Sequence, residues 1–260
     1  MPLKDERNTD SLRSMMVRFA NWARARWLSL LVLAAILGAF PVAGLSLLAH
    51  KERELIFRIE PGVARWYSGL PAGVQELELP VSAEGGVLHA WWWPSGSRNA
   101  PAVLYLHGSR WNLTGQLYRI EQLREFGFSV LAIDYRGFGR SRGGPPSESS
   151  VYEDARVAWE RLVQLQPDTA KRYIYGHSLG GAVAVELAHF LAVKADGSRK
   201  GAAGLIVESS FTSLADVAAA ITNVRLPLHW LITQKFQSID KIDEVGVPVL
   251  VVHGTADRYI

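Results

Sequence analysis

The residues best placed to do chemistry are a serine between two glycines, Gly176-His177-Ser178-Leu179-Gly180, and a carboxylate, Asp257, three residues before the last one. A serine hydroxyl is a weak nucleophile at its own pKa. It needs a base to take its proton and a site for the oxyanion that its attack creates. Tyr173-Ile174-Tyr175 leads into the serine as a short apolar strand, and an Ala/Val/Leu-rich helix leaves it from Leu179. Glycines at 176 and 180 let the chain turn sharply there, lifting Ser178 clear of the sheet at a helix N-terminus with free N–H groups and a positive dipole end. A bare Gly-x-Ser-x-Gly recurs by chance, so the strand–turn–helix context carries the weight.

Three further segments end apolar runs in the same way. Leu106-His107-Gly108-Ser109 stands where an oxyanion loop belongs, and the Ser109 N–H could join that of Leu179 as a donor pair. Val252-His253-Gly254-Thr255-Ala256-Asp257 presents a carboxylate suited to orienting a histidine. Asp134-Tyr135-Arg136-Gly137-Phe138-Gly139 superficially suggests a phosphate loop, but its spacing is not Gly-x-Gly-x-x-Gly and no helix start follows, which argues against nucleotide binding. The base is harder to place. His50 and His89 lie early, His107 belongs to the oxyanion loop, His177 is the elbow residue turned away from the serine, His189 sits on the following helix, and His253 leads to Asp257. Only His229 is left to swing toward Ser178.

The elements that would position these groups read as α/β. Val74–Leu79 and Val87–Trp93 flank Gly85-Gly86 as a hairpin, and Val103–Leu106, Val130–Ile133, Tyr173–Tyr175, Leu205–Val207 and Val249–Val252 are short continuous apolar runs. Continuous rather than alternating apolarity marks strands covered on both faces, as in a parallel sheet. Val151, Ala155, Ala158, Leu162 and Leu165 form one helical stripe ended by Pro167. Residues 209–236, with Leu228, Trp230 and Leu231, suggest a small cap.

At 48% hydrophobic and 20% charged residues, the chain has ample core for one large domain. The net charge of +3 resides in the first 26 residues, where Lys4, Arg7, Arg13, Arg18, Arg24 and Arg26 face Asp5, Glu6 and Asp10; the balanced body is not a nucleic-acid surface. With no cysteine, disulfides, thiolate zinc sites and cysteine nucleophiles are excluded. Residues 27–49 carry no charge, and as a helix they would reach roughly 34 Å against a hydrocarbon core of about 30 Å. The long charged leader and apolar stretch favour an uncleaved anchor over a signal peptide cut near Val42-Ala43-Gly44. Six basic residues precede the segment while Lys51, Arg53, Arg58 and Arg65 follow it, which places the leader in the cytoplasm and the body across the membrane. The organisation expected is a leader over 1–26, a membrane helix over 27–49, a linker over 50–70 and a catalytic domain over 71–260. Asn112-Leu113-Thr114 matches a glycosylation sequon, and its place beside the oxyanion loop points to a chance match.

These motifs, in this order, resemble the α/β-hydrolase superfamily, and within it the membrane-anchored Bem46-like branch grouped with serine aminopeptidase-like hydrolases; Glu208-Ser209-Ser210-Phe211-Thr212-Ser213 and Leu55-Ile56-Phe57-Arg58 share in the resemblance. It implies a mostly parallel sheet with helices on both faces, Ser178 as nucleophile, Asp257 as acid, Ser109 and Leu179 as oxyanion donors, and neither metal nor cofactor. It also implies a histidine after one further strand. Since the sequence stops three residues past Asp257, an incomplete hydrolase is expected, lacking its last strand, histidine loop and helix. The function expected is hydrolysis of an ester, thioester or amide in a small acyl, lipid or peptide substrate, in a bacterial inner membrane with the body periplasmic. A noncatalytic, membrane-tethered binding protein on the same fold is the alternative.

Overall fold

The computed structural model describes residues 6–81, 85–97, 99–193, 201–222 and 232–257. The chain divides into two compact units, one up to Lys51 and one from Glu52 onward. Helix α1 (Glu6–Phe57) contains the apolar stretch 27–49. Among the described residues no helix is long and apolar enough to cross a membrane; the side chains at 31–38 and 40–42, the middle of that stretch, lie outside those described.

Among the described residues the second unit has seven strands: β1 (Gln75–Val81), β2 (Gly86–Trp93), β3 (Ala102–Leu106), β4 (Ser129–Ile133), β5 (Arg172–His177), β6 (Gly204–Glu208) and β7 (Val249–Val252). They lie in the order β1-β2-β4-β3-β5-β6-β7. The β1–β2 hairpin and the β2–β4 pairing are antiparallel, and every other pairing is parallel. All the strand runs expected from the sequence form, each within a residue or two of its expected bounds.

The alternation of side chains along each strand sorts the core into two layers. On one face Leu104, Leu106, Leu131, Ile133 and Ile174 meet α3 (Glu148–Leu165) and α4 (Leu179–Val193) through Trp159, Leu162, Val183 and Leu187. On the other, Val103, Tyr105, Val130 and Ala132 meet α2 (Leu113–Glu125) through Leu113, Leu117, Ile120 and Leu123. β3 and β4 are buried at every position, as their unbroken apolarity requires. The α3 stripe Val151, Ala155, Ala158 and Leu162 is buried, and Ser147 caps the helix in a reciprocal bond with Ser150.

β7 differs. Its four residues are all exposed, although the unbroken apolar run Val249–Val252 reads like those of the covered strands. Beyond β6, α5 (Leu214–Thr222) occupies part of the expected cap, while Leu228, His229, Trp230 and Leu231 lie outside the described residues.

Candidate active site

Ser178 sits between β5 and α4 with φ +53°, the left-handed region that non-glycine residues rarely occupy. Such a conformation costs on the order of 1–3 kcal/mol and persists only where surroundings hold it. Here the Ser178 N–H donates to the Glu208 carbonyl at 2.9 Å, while the Ser178 carbonyl accepts from the Gly181 N–H at 2.8 Å and the Ser210 hydroxyl at 2.9 Å. Both flanking glycines are sterically required. A Cβ on Gly176 would come within 2.6 Å of Gly181 Cα, and one on Gly180 would lie 2.6 Å from the His107 carbonyl oxygen.

The loop after β3 reaches this turn directly. A Cβ on Gly108 would stand 3.1 Å from Ser178 Cβ and 3.3 Å from His177 Nδ1, tighter than ordinary van der Waals contact, so the two loops lie against one another here. Ser109 and Leu179 therefore lie on the two loops that meet at Ser178. Neither their N–H groups nor the Ser178 hydroxyl has a hydrogen-bond partner among the described residues. Two free N–H groups beside a hydroxyl are what a developing oxyanion requires.

Behind the loop, Asp134 is 2% exposed. It accepts from the Leu113 N–H at 2.8 Å, starting α2, and lies 3.2 Å from His89 Nδ1, whose Nε2 in turn is 3.0 Å from Glu76. Burial alone would lower the His89 pKa, but its bonds to Asp134 and Glu76 outweigh burial and raise it. The Asp134–Ser141 segment, set aside as a phosphate loop, is thus scaffolding. A Cβ on Gly139 would overlap the Asp134 carboxylate, and Arg136 pairs with buried Asp154 at 2.6 Å. Asn112, of the sequon, is 3% exposed and caps α2 by accepting from the Thr114 N–H at 3.0 Å.

A polar cluster beside the turn escaped the sequence analysis. Arg119 of α2 grips Glu208 at the end of β6 with two bonds, of 3.1 and 3.4 Å, and the Tyr175 hydroxyl donates to the same carboxylate. Burial would raise the Glu208 pKa, but Tyr175 and Arg119 together hold it below the usual range. His177, in register with Glu208, is kept neutral by burial and then by Arg119, its pKa lowered to about 4. The only local signal was the acidic residue ending an apolar strand.

His107, His189 and His253 each face another group. His107 is fully buried, its Nδ1–H donating to the Gly108 carbonyl at 2.6 Å, and burial lowers its pKa. His189 meets Glu244 at 2.9 Å. Asp257 follows β7, two strands over from β5, and its carboxylate lies 3.7 Å from His253 Nε2. His253 also borders a cavity of about 200 Å³ that includes Ser210, the residue bonded to the Ser178 carbonyl.

A mostly parallel seven-stranded sheet, helices on both faces and a left-handed serine at a strand–helix turn define an α/β-hydrolase fold. Comparisons agree. Residues 97–240 match the family model described as serine aminopeptidase, S33. An uncharacterized protein of Mycobacterium tuberculosis is 36% identical over 214 residues, spanning 81% of this chain and 71% of that one. The lysophosphatidylserine lipase ABHD12 of Danio rerio is 30% identical over 75% of this chain and 51% of its own length. The Pyrococcus furiosus esterase Pf2001 shares the fold, with TM-score 0.57, 20% identity, and 77% and 79% of the two chains covered. The chain belongs to the serine aminopeptidase (S33) family and is a hydrolase of the α/β type.

Proposed function

We propose that the protein is a membrane-anchored serine hydrolase that cleaves an ester, thioester or amide through an acyl-enzyme. In this reading the Ser178 oxygen attacks the substrate carbonyl carbon and passes its proton to a base. The oxyanion rests on the Ser109 and Leu179 N–H groups. The tetrahedral species then expels the alcohol, thiol or amine, which takes up that proton, and water releases the acid from Ser178 by the same steps. Asp257 orients the base, a histidine outside the described residues. The observation that carries the reading is the contact of Gly108 with a left-handed Ser178, with two unengaged N–H groups on the touching loops.

Residues 27–49 serve as the anchor on the strength of their length and lack of charge, with the leader cytoplasmic and the body across the membrane, in a bacterial cell periplasmic. The relative named a lysophosphatidylserine lipase makes lysophospholipid esters the first substrates to try. The test is turnover of short-chain esters, thioesters, aminoacyl amides and lysophospholipids by the protein in detergent. Ser178→Ala should lower any hydrolysis by about 10⁶-fold. Hydrolysis that survives this substitution contradicts the mechanism, and substrate binding without hydrolysis supports a noncatalytic binding protein.

A further inference from the structure

The segment that follows the apolar stretch, read from the sequence as a linker, is bonded into the site. Phe57, the last residue of α1, is 1% exposed and meets Phe138 and Phe236 edge-on at 6.3 Å each. Its carbonyl accepts from the Arg110 N–H at 2.8 Å, and the Arg110 carbonyl accepts from the Glu60 N–H at 2.8 Å. Two residues on, Asn112 Nδ2 donates to the Gly62 carbonyl at 2.7 Å, and Thr114 Oγ1 accepts from the Ala64 N–H at 3.0 Å. Arg110 lies immediately after Ser109 and is itself left-handed, at φ +78°. Bonds to both its N–H and its carbonyl hold it there, and with it the Ser109–Arg110 peptide group, the unit that follows the one carrying the Ser109 N–H.

Resting on the reading of Ser109 as an oxyanion donor, we infer that residues 57–64 are a positioning element of the oxyanion loop rather than a passive tether. Asn112 and Thr114 are positioning residues that act through that loop. Phe57 ends the helix that holds the apolar stretch, and the other seven residues continue the chain directly from it.

The test separates this role from a merely structural one. Asn112→Ser keeps a side-chain oxygen to cap α2 but is too short to reach Gly62. Thr114→Val keeps shape and removes the acceptor for the Ala64 N–H, and Thr114→Ser restores it. A displacement near 1 Å at a reacting centre costs on the order of 10²-fold, so kcat should fall by about 10- to 100-fold in Asn112→Ser and Thr114→Val, with KM within about threefold. Thr114→Ser should return to within about twofold of the parent. Wild-type kcat in both variants overturns the inference. If neither variant folds, hydrogen exchange in the unaltered protein decides: the Glu60 and Arg110 amides should be protected and open together, and a Glu60 amide exchanging freely beside a protected Arg110 overturns it. A parent protein that hydrolyses nothing, yet shows this joint protection, overturns the proposed function and with it the catalytic role of the segment, while the bonded tie between residues 57–64 and the loop stands.

Discussion

Asp134 and Asp257 both follow an unbroken apolar strand, and the two look alike in sequence. In the folded chain they are opposites. Asp134 is 2% exposed, starts α2 through the Leu113 N–H and holds His89. Asp257 is less buried, with 22% of its side chain exposed, and follows a strand exposed at all four positions, with His253 at 3.7 Å. A carboxylate after an apolar strand can be locked into the interior by several bonds, as Asp134 is, or stand nearer the surface, as Asp257 does.

Exchanging the carboxylates for amides sharpens this contrast. Asp257→Asn should lower turnover by roughly 10⁴-fold, the loss seen when a triad acid is neutralised, without moving the thermal midpoint. Unaltered turnover would remove Asp257 from the site. Asp134→Asn should do the reverse, costing about 1–3 kcal/mol of stability through a compromised buried acceptor. An Asp134→Asn protein as stable as its parent, by denaturant titration, would mean that the buried network carries little.

A smaller effect follows from His177. Its folded pKa, about 4, lies below the usual value of 6.5, so between those values the unfolded chain binds more protons. Its contribution to stability is fully present above pH 6.5 and is lost as pH falls toward 4. With its partial exposure to water the loss should be on the order of 1–2 kcal/mol. Chemical denaturation at pH 7 and pH 4 should show that slope in the parent and less of it in His177→Gln. Equal slopes would place the acid sensitivity elsewhere.

Most of the frame around Ser178 was legible because it is local. Gly176 and Gly180 stand beside the serine they serve, and the apolar runs mark the strands that hold the three loops. What was not legible joins residues far apart. Arg119 and Glu208 are 89 positions from one another, and neither the register of β5 with β6 nor the reach of α2 can be read from either residue's neighbours. Residues 57–64 read as a linker because their bonds to the loop after β3 are made largely by backbone groups, which leave no side-chain pattern.

The central claim is that the strained serine at the β5–α4 turn is the reacting group. The most direct measurement is peptide mapping by mass spectrometry after treatment with a fluorophosphonate, which phosphonylates an activated serine and releases fluoride. The account predicts one adduct, on Ser178, absent from the Ser178→Ala protein and slowed in Asp257→Asn. An adduct on another serine, or none while the protein hydrolyses its substrate at full rate, would contradict it.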